Sequence, residues 1–267
     1  MIFRYEYHGG VWVDIEQPTD EEIRLTAQEF AIDERIEMEL LSPNPTPLAT
    51  GDGASALLVL HFPANGEHDE TKNQEVDIVV SKKFIVTVRY EVIAPFYHLK
   101  KLLEARTLLA HHESITTDIL LEIIFAHLYA AVRDHTNHIA SRLEHVEREM
   151  FNGHDRTTVR AISNISREFL HMESALANQE GPLARFLKMI ERRNFFDTAF
   201  DERAERILSD CAQVNRLVTA HRAVATELRE TNAALLEVRQ NQIMKVLTVA
   251  VVCIEIVTLL LTTHWLF

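Results

Sequence analysis

The sequence predicts an α+β chain: a mixed α/β N-terminal region, a long helical middle, and a very long stalk helix running into a C-terminal membrane span. Three observations predict it. Short β-branched runs punctuated by turn residues fill residues 1–95. Pro and Gly almost vanish after Pro95, with only Pro182, Gly153 and Gly181 beyond it. The chain closes on VLTVAVVCIEIVTLLLTTHWLF, residues 246–267, which holds one acid, Glu255, and one His.

Residues 3–7 alternate in polarity, and residues 11–15 alternate again after Gly9-Gly10, which predicts a hairpin. Pro18-Thr19 followed by Asp20, Glu21 and Glu22 marks a helix start with acids in its first turn. The stretch 42–53 is rich in Pro, Gly and Thr and reads as a loop. Residues 56–62 read as a buried strand, 66–73 as a polar turn, and 76–80 and 84–89 as two more strands joined by Ser81-Lys82-Lys83. Helices are predicted at about 96–110, 114–151, 156–194 and 199–267, with breaks near His111-His112, Gly153 and Gly181-Pro182. The last would be roughly 100 Å long at about 1.5 Å per residue. These boundaries divide the chain into an acidic α/β domain (1–95), antiparallel long helices (96–198), a stalk (199–242) and a membrane helix (243–267).

The chain has 267 residues, 27 Lys+Arg against 40 Asp+Glu, and a net charge of −13. Residues 1–95 carry 18 of the acids and 7 of the bases. An acidic surface argues against nucleic acid as a partner and concentrates cations nearby. Two cysteines, Cys211 and Cys253, are too few and too far apart for a disulfide scaffold or a metal knuckle. The N-terminus has no long apolar run of the signal-peptide kind. About twenty apolar residues cross a bilayer core. Lys245 stands where a cytoplasmic flank is positive, and Trp265 where an interface anchor would sit. The expected location is the cell (inner) membrane, with the bulk of the chain cytoplasmic.

Two patterns run along the last helix. Ile207, Cys211, Val214, Val218, His221, Ala225, Leu228, Asn232 and Leu235 recur at alternating four- and three-residue steps, a heptad seam. That seam either joins copies of the chain or packs on helices of its own chain. The second pattern is polar. With Asn241 at zero and about 100° per residue, Glu230 and Thr248 fall at about −20° and Glu237 and Glu255 at about −40°. Turned toward an axis in an oligomer, this stripe would form rings of oxygen ligands, which suit hard cations such as Mg²⁺. Glu230 and Glu237 are otherwise a solvated helix face, and Glu255 a helix contact. Intramembrane acids usually face a bundle interior or a water path. His127, His138 and His145 share a face of helix 114–151, and His135 and His138 stand three apart, but solvated helix histidines read the same way. There is no Gly-rich phosphate loop, no H-E-x-x-H and no nucleophile elbow, so an enzyme is not expected.

The run Asn241-Gln242-Ile243-Met244-Lys245-Val246-Leu247-Thr248 is similar to the N-x-x-M-K-x-L-T entry into the first membrane helix of the CorA-type divalent cation transporters. Trp12-Val13-Asp14-Ile15, Pro18-Thr19 and Glu22 resemble that family's start, and Leu60-His61-Phe62-Pro63 and residues 84–89 resemble its sheet strands. The resemblance implies an N-terminal α/β/α domain, a homopentamer in the membrane lipid, and transport of Mg²⁺, possibly Co²⁺, with the same ion acting as regulator. It implies pore roles for Asn241, Glu230 and Thr248, to which the stripe adds Glu237 and Glu255, gate positions for Met244 and Leu247, and, if the alignment slips by one turn, a regulatory metal role for Asp210. The chain departs from the family pattern in three places. Counted from Met244, the family's Gly-Met-Asn triplet falls on Trp265-Leu266-Phe267, and the second span and basic tail lie beyond the sequence. Glu255 stands where the family has an apolar gate. The family's stalk acid falls near Arg206, one turn before Asp210. The alternative reading is therefore a non-conducting, truncated CorA-like single-pass scaffold or cation sensor.

Overall fold

A computed structural model of the chain describes residues 1–64, 72–108, 115–151 and 155–266. Two compact units emerge, one of residues 1–140 with 167–221, the other of residues 141–166 with 222–267.

The first unit is built on a six-stranded sheet. Its strands are β1 (Ile2–Tyr7), β2 (Gly10–Glu16), β3 (Leu48–Gly51), β4 (Ala56–Ala64), β5 (Lys72–Val80) and β6 (Phe84–Arg89), in the spatial order β1-β2-β6-β5-β4-β3. All neighbours are antiparallel except β2 and β6, which run parallel. The hairpin expected around Gly9-Gly10 is present, with Tyr7 paired to Gly10 and Gly9 at φ +86°. That conformation is cheap only for glycine.

Helix α1 (Asp20–Glu29) starts where the sequence places it. Thr19 and Glu22 close a capping box, the Glu22 N–H donating to Thr19 Oγ1 at 3.2 Å and the Thr19 N–H to Glu22 at 2.9 Å. Helix α2 (Glu34–Leu40) follows, capped by Asp33. The sequence does not announce it, because seven residues are too few to show a helical period. Strand β3 also lies inside what reads as a loop, since pairing to β4 at the sheet edge overrides its weak local signal.

Because side chains alternate across a strand, each face of the sheet has its own cover. Val13, Ile15, Leu57, Val59, Val79, Val86 and Val88 pack with Ile23, Ala27, Ile36 and Leu40 of α1 and α2. The opposite face meets α3 (Ala94–Leu108) and α4 (Thr117–Phe151), where Trp12 lies 6.2 Å from Phe96 and Phe62 lies 5.8 Å from Tyr129. The fold is the expected three-layer α/β/α domain followed by long helices.

The region read as one helix over 156–194 is two, α5 (Asp155–Ala177) and α6 (Glu180–Arg192). The break falls just before Gly181-Pro182, and proline at that point stands in the first turn of α6, where its missing N–H costs nothing. Helix α7 runs unbroken over Ala199–Leu266, 68 residues. The breaks expected at His111-His112 and Gly153, and residues 66–71 of the polar turn, lie outside the described residues; Lys72 and Asn73 belong to β5.

Candidate functional site

The heptad seam faces inward. Ile207, Cys211, Val214, Val218, Ala225, Leu228 and Asn232 are all at most 7% exposed within a single copy of the chain. His221 stacks on Phe169 at 5.9 Å. Of the two readings of the seam, packing on helices of its own chain holds for these positions.

The polar stripe faces the other way. Asn232 lies nine residues before Asn241, which at about 100° per residue puts the two half a turn apart in phase. Asn232 is 3% exposed, whereas Glu230, Glu237, Asn241, Thr248 and Glu255 are all exposed. The back of the same segment is tied down by Arg239, which donates to the Met150 carbonyl at 3.3 Å. Met244 and Leu247 are 57% and 54% exposed. From Glu230 to Glu255 the stripe extends about 38 Å at the helical rise. Thr248 Oγ1 donates to the Met244 carbonyl at 2.8 Å, so its oxygen lone pairs stay available to an outside partner.

One described helix, α7, is long and apolar enough to cross a membrane. Every residue from Ile243 to Thr258 is exposed, and in water an apolar surface of that extent would be a large penalty. Lipid removes the penalty.

Asp210 is half-buried next to Cys211, and its charge reaches the buried Tyr129 hydroxyl. One turn before Asp210 stands Arg206. Its Nε donates to Glu122 at 2.5 Å and Arg203 Nη1 to the same carboxylate at 3.0 Å. Arg206 first, with Arg203, holds the Glu122 carboxyl below its ordinary value. Among the described residues no group of three or more His, Cys, Asp or Glu is arranged to hold a metal ion. His127 Nδ1 turns back on the Ile123 carbonyl at 2.9 Å, and His138 and His145 are exposed.

Two buried polar clusters escaped sequence reasoning. In the first, Asp14 and Arg89 on neighbouring strands are both essentially unexposed and paired at 2.9 Å. Thr87 donates to Asp14 at 2.7 Å, Trp12 Nε1 donates to Thr87 at 3.0 Å, and Lys100 of α3 reaches Asp14 from above. The second surrounds His61, Glu75 and Asp77. The available signal was a charged or polar residue interrupting an apolar strand, as in Val76-Asp77-Ile78-Val79-Val80.

Comparison with known proteins agrees with this architecture. The family described as CorA-like Mg²⁺ transporter protein matches residues 7–265. The cobalt/magnesium transport protein CorA of Methanocaldococcus jannaschii is 22% identical over 247 residues, covering 91% of this chain and 75% of that protein. The complete structure of the CorA magnesium transporter from Methanocaldococcus jannaschii superposes with a TM-score of 0.74 at 20% identity, over 92% of this chain and 76% of that one. The ZntB cytoplasmic domain from Vibrio parahaemolyticus superposes with a TM-score of 0.66 at 12% identity, over 85% of this chain and 88% of that one. The body that precedes the apolar end of α7 is cytoplasmic, and that end anchors it in the membrane. With 259 of its 267 residues inside the match, the chain belongs to the CorA-like Mg²⁺ transporter protein family.

Proposed function

We propose that this chain carries divalent cations, Mg²⁺ and Co²⁺, across the membrane through a homopentameric pore lined by α7. The observation that supports the reading is the opposition of Asn232 and Asn241. The seam is satisfied inside one copy, which leaves the Glu230–Glu255 stripe as the face open to other copies.

In this reading Glu230 and Glu237 draw cations toward the cytoplasmic mouth, and Asn241 receives them. An amide ring suits a hydrated Mg²⁺, which gives up water reluctantly. Met244 and Leu247 form the apolar gate below Asn241, and a ring of apolar side chains closes a pore by excluding water. Thr248 and Glu255 continue the polar path into the bilayer. Asp210 serves as a regulatory ligand, with its co-ligands supplied by a second copy.

The test is Mg²⁺ and Co²⁺ uptake into liposomes holding the 267-residue chain, with Asn241→Ala as control. Uptake that the control abolishes supports the pore. A folded, oligomeric chain that carries neither ion sends the reading to a membrane scaffold or cation sensor.

A further inference from the structure

One charged cluster in the sheet domain lies far from the α7 stripe in sequence. His61 on β4 and Glu75 on β5 are cross-strand partners, and Asp77 shares their face two residues on. Asp77 is 0% exposed and Glu75 8%. Both Glu75 oxygens accept the Asn44 N–H, at 2.8 and 2.9 Å. His61 Nε2 lies 2.8 Å from the Asn44 carbonyl and 3.6 Å from Glu75. Because a carbonyl only accepts, that nitrogen carries a proton. Asn44 Nδ2 donates to the Glu39 carbonyl at 2.9 Å. The proline-rich loop of residues 42–47 is therefore fastened through the main chain and side chain of Asn44, and the anchors are titratable.

Among the described residues, the groups facing this cluster are Glu39 from α2, His61 from β4, Glu75 and Asp77 from β5, and Tyr90 after β6. Only His61 among them becomes a cation. The Tyr90 hydroxyl donates to the Leu40 carbonyl at 2.9 Å and lies 3.3 Å from Asp77 Oδ2. Asp77 Oδ1, His61 Nδ1 and Gln179 Oε1 are sealed from solvent without a hydrogen-bond partner. An ionised carboxylate with an orphaned, sealed oxygen beside a second carboxylate is strongly disfavoured. Burial first, then Glu75, holds the Asp77 carboxyl well above its ordinary value. Glu75 and the Asn44 carbonyl raise His61 against the effect of burial.

We propose that His61, Glu75 and Asp77 form a proton-operated clasp on the 42–47 loop. The clasp is closed while Asp77 is neutral and His61 charged. Alkaline pH removes both protons and leaves two adjacent buried anions with no cation among the described groups that face them. Their hydration then requires the loop to lift. A cavity of about 290 Å³, bounded by Pro45, Thr46, Pro47 and His61, gives water its route.

The test is hydrogen exchange on the full chain in detergent micelles from pH 6 to pH 9, with rates corrected for the intrinsic effect of pH. Protection of the Asn44 N–H, which donates to Glu75 in a loop whose Pro43, Pro45 and Pro47 have no amide hydrogen, should fall about tenfold or more per unit of pH above the transition, as expected for loss of one proton. Residues 10–16 of β2 should keep their protection. Asp77→Asn, neutral at every pH, should hold the loop protected throughout. His61→Gln, which cannot be charged, should move release to lower pH. Flat loop protection in the unmodified chain would overturn the clasp, as would equal losses in the unmodified chain and Asp77→Asn. Simultaneous loss in β2 would also overturn it, because that is unfolding of the domain. If Asp77→Asn does not fold, the shift or its absence in His61→Gln decides.

Discussion

Asn232 and Asn241 stand on opposite faces of one helix, the first 3% exposed and the second open. Two residues of identical chemistry therefore carry different expectations. Asn232→Ala leaves a gap at a buried position, and should cost about 1–3 kcal/mol. Asn241→Ala should leave the heat-unfolding midpoint within error and reduce cation flux at least tenfold. Equal effects of both substitutions on stability would show that Asn241 is also packed.

The Asp14–Arg89 pair joins β2 to β6 in the middle of the sheet. Arg89 also meets Glu16 at 2.6 Å. Removing one partner of a buried pair leaves an uncompensated charge and costs about 3–5 kcal/mol. Asp14→Ala should therefore lower the denaturant midpoint of the full chain sharply. Asp14→Leu combined with Arg89→Met should recover much of that loss. A double variant as unstable as Asp14→Ala alone would mean that Thr87 and Lys100, rather than the charge balance, dominate the site.

The pH dependence of stability should have two limbs with different owners. Glu122 has a depressed native value, so its contribution is present above its ordinary value of 4.5 and lost as pH falls through the native one. His61 and Asp77 have raised native values, so their contributions are present at low pH and lost as pH rises. Unfolding midpoints across pH 3–9 should show Glu122→Gln flattening the acid limb and Asp77→Asn the alkaline limb. Interchanged effects would reject the assignment.

Gly10 should not tolerate a side chain. A Cβ there would lie 2.7 Å from the Lys83 carbonyl oxygen and 2.6 Å from the Tyr7 ring. The ring can turn aside, but the carbonyl accepts the Val11 N–H at 3.0 Å and is held in place. Gly10→Ala should destabilise the domain by about 1–3 kcal/mol through forced backbone displacement. Gly53→Ala, which meets nothing within 4 Å, is the matched control and should be nearly silent.

The local elements were legible where chemistry is local. Pro18-Thr19 before Asp20, Glu21 and Glu22 announces a helix start, Gly9-Gly10 a turn, and residues 246–267 a membrane span, because helix starts, turns and hydropathy depend on neighbours in the chain. The stripe from Glu230 to Glu255 was legible for the same reason, since one helical period relates all its members. What the period leaves open is which face is covered. The seam and the stripe are both regular, and only the burial of Asn232 and Leu228 shows that the seam is satisfied within one chain. Nor does any periodicity join Asp14 to Arg89, or His61 to Glu75 and Asn44. Those partners meet because β2 runs parallel to β6 and β4 antiparallel to β5. Sequence alone determined most of the element types, the membrane helix and the phase of its polar stripe, all set by short-range sterics and solvent preference. Tertiary structure decided which charges are buried together and which helix face stays open, because strand pairing and helix docking choose partners across long stretches of chain.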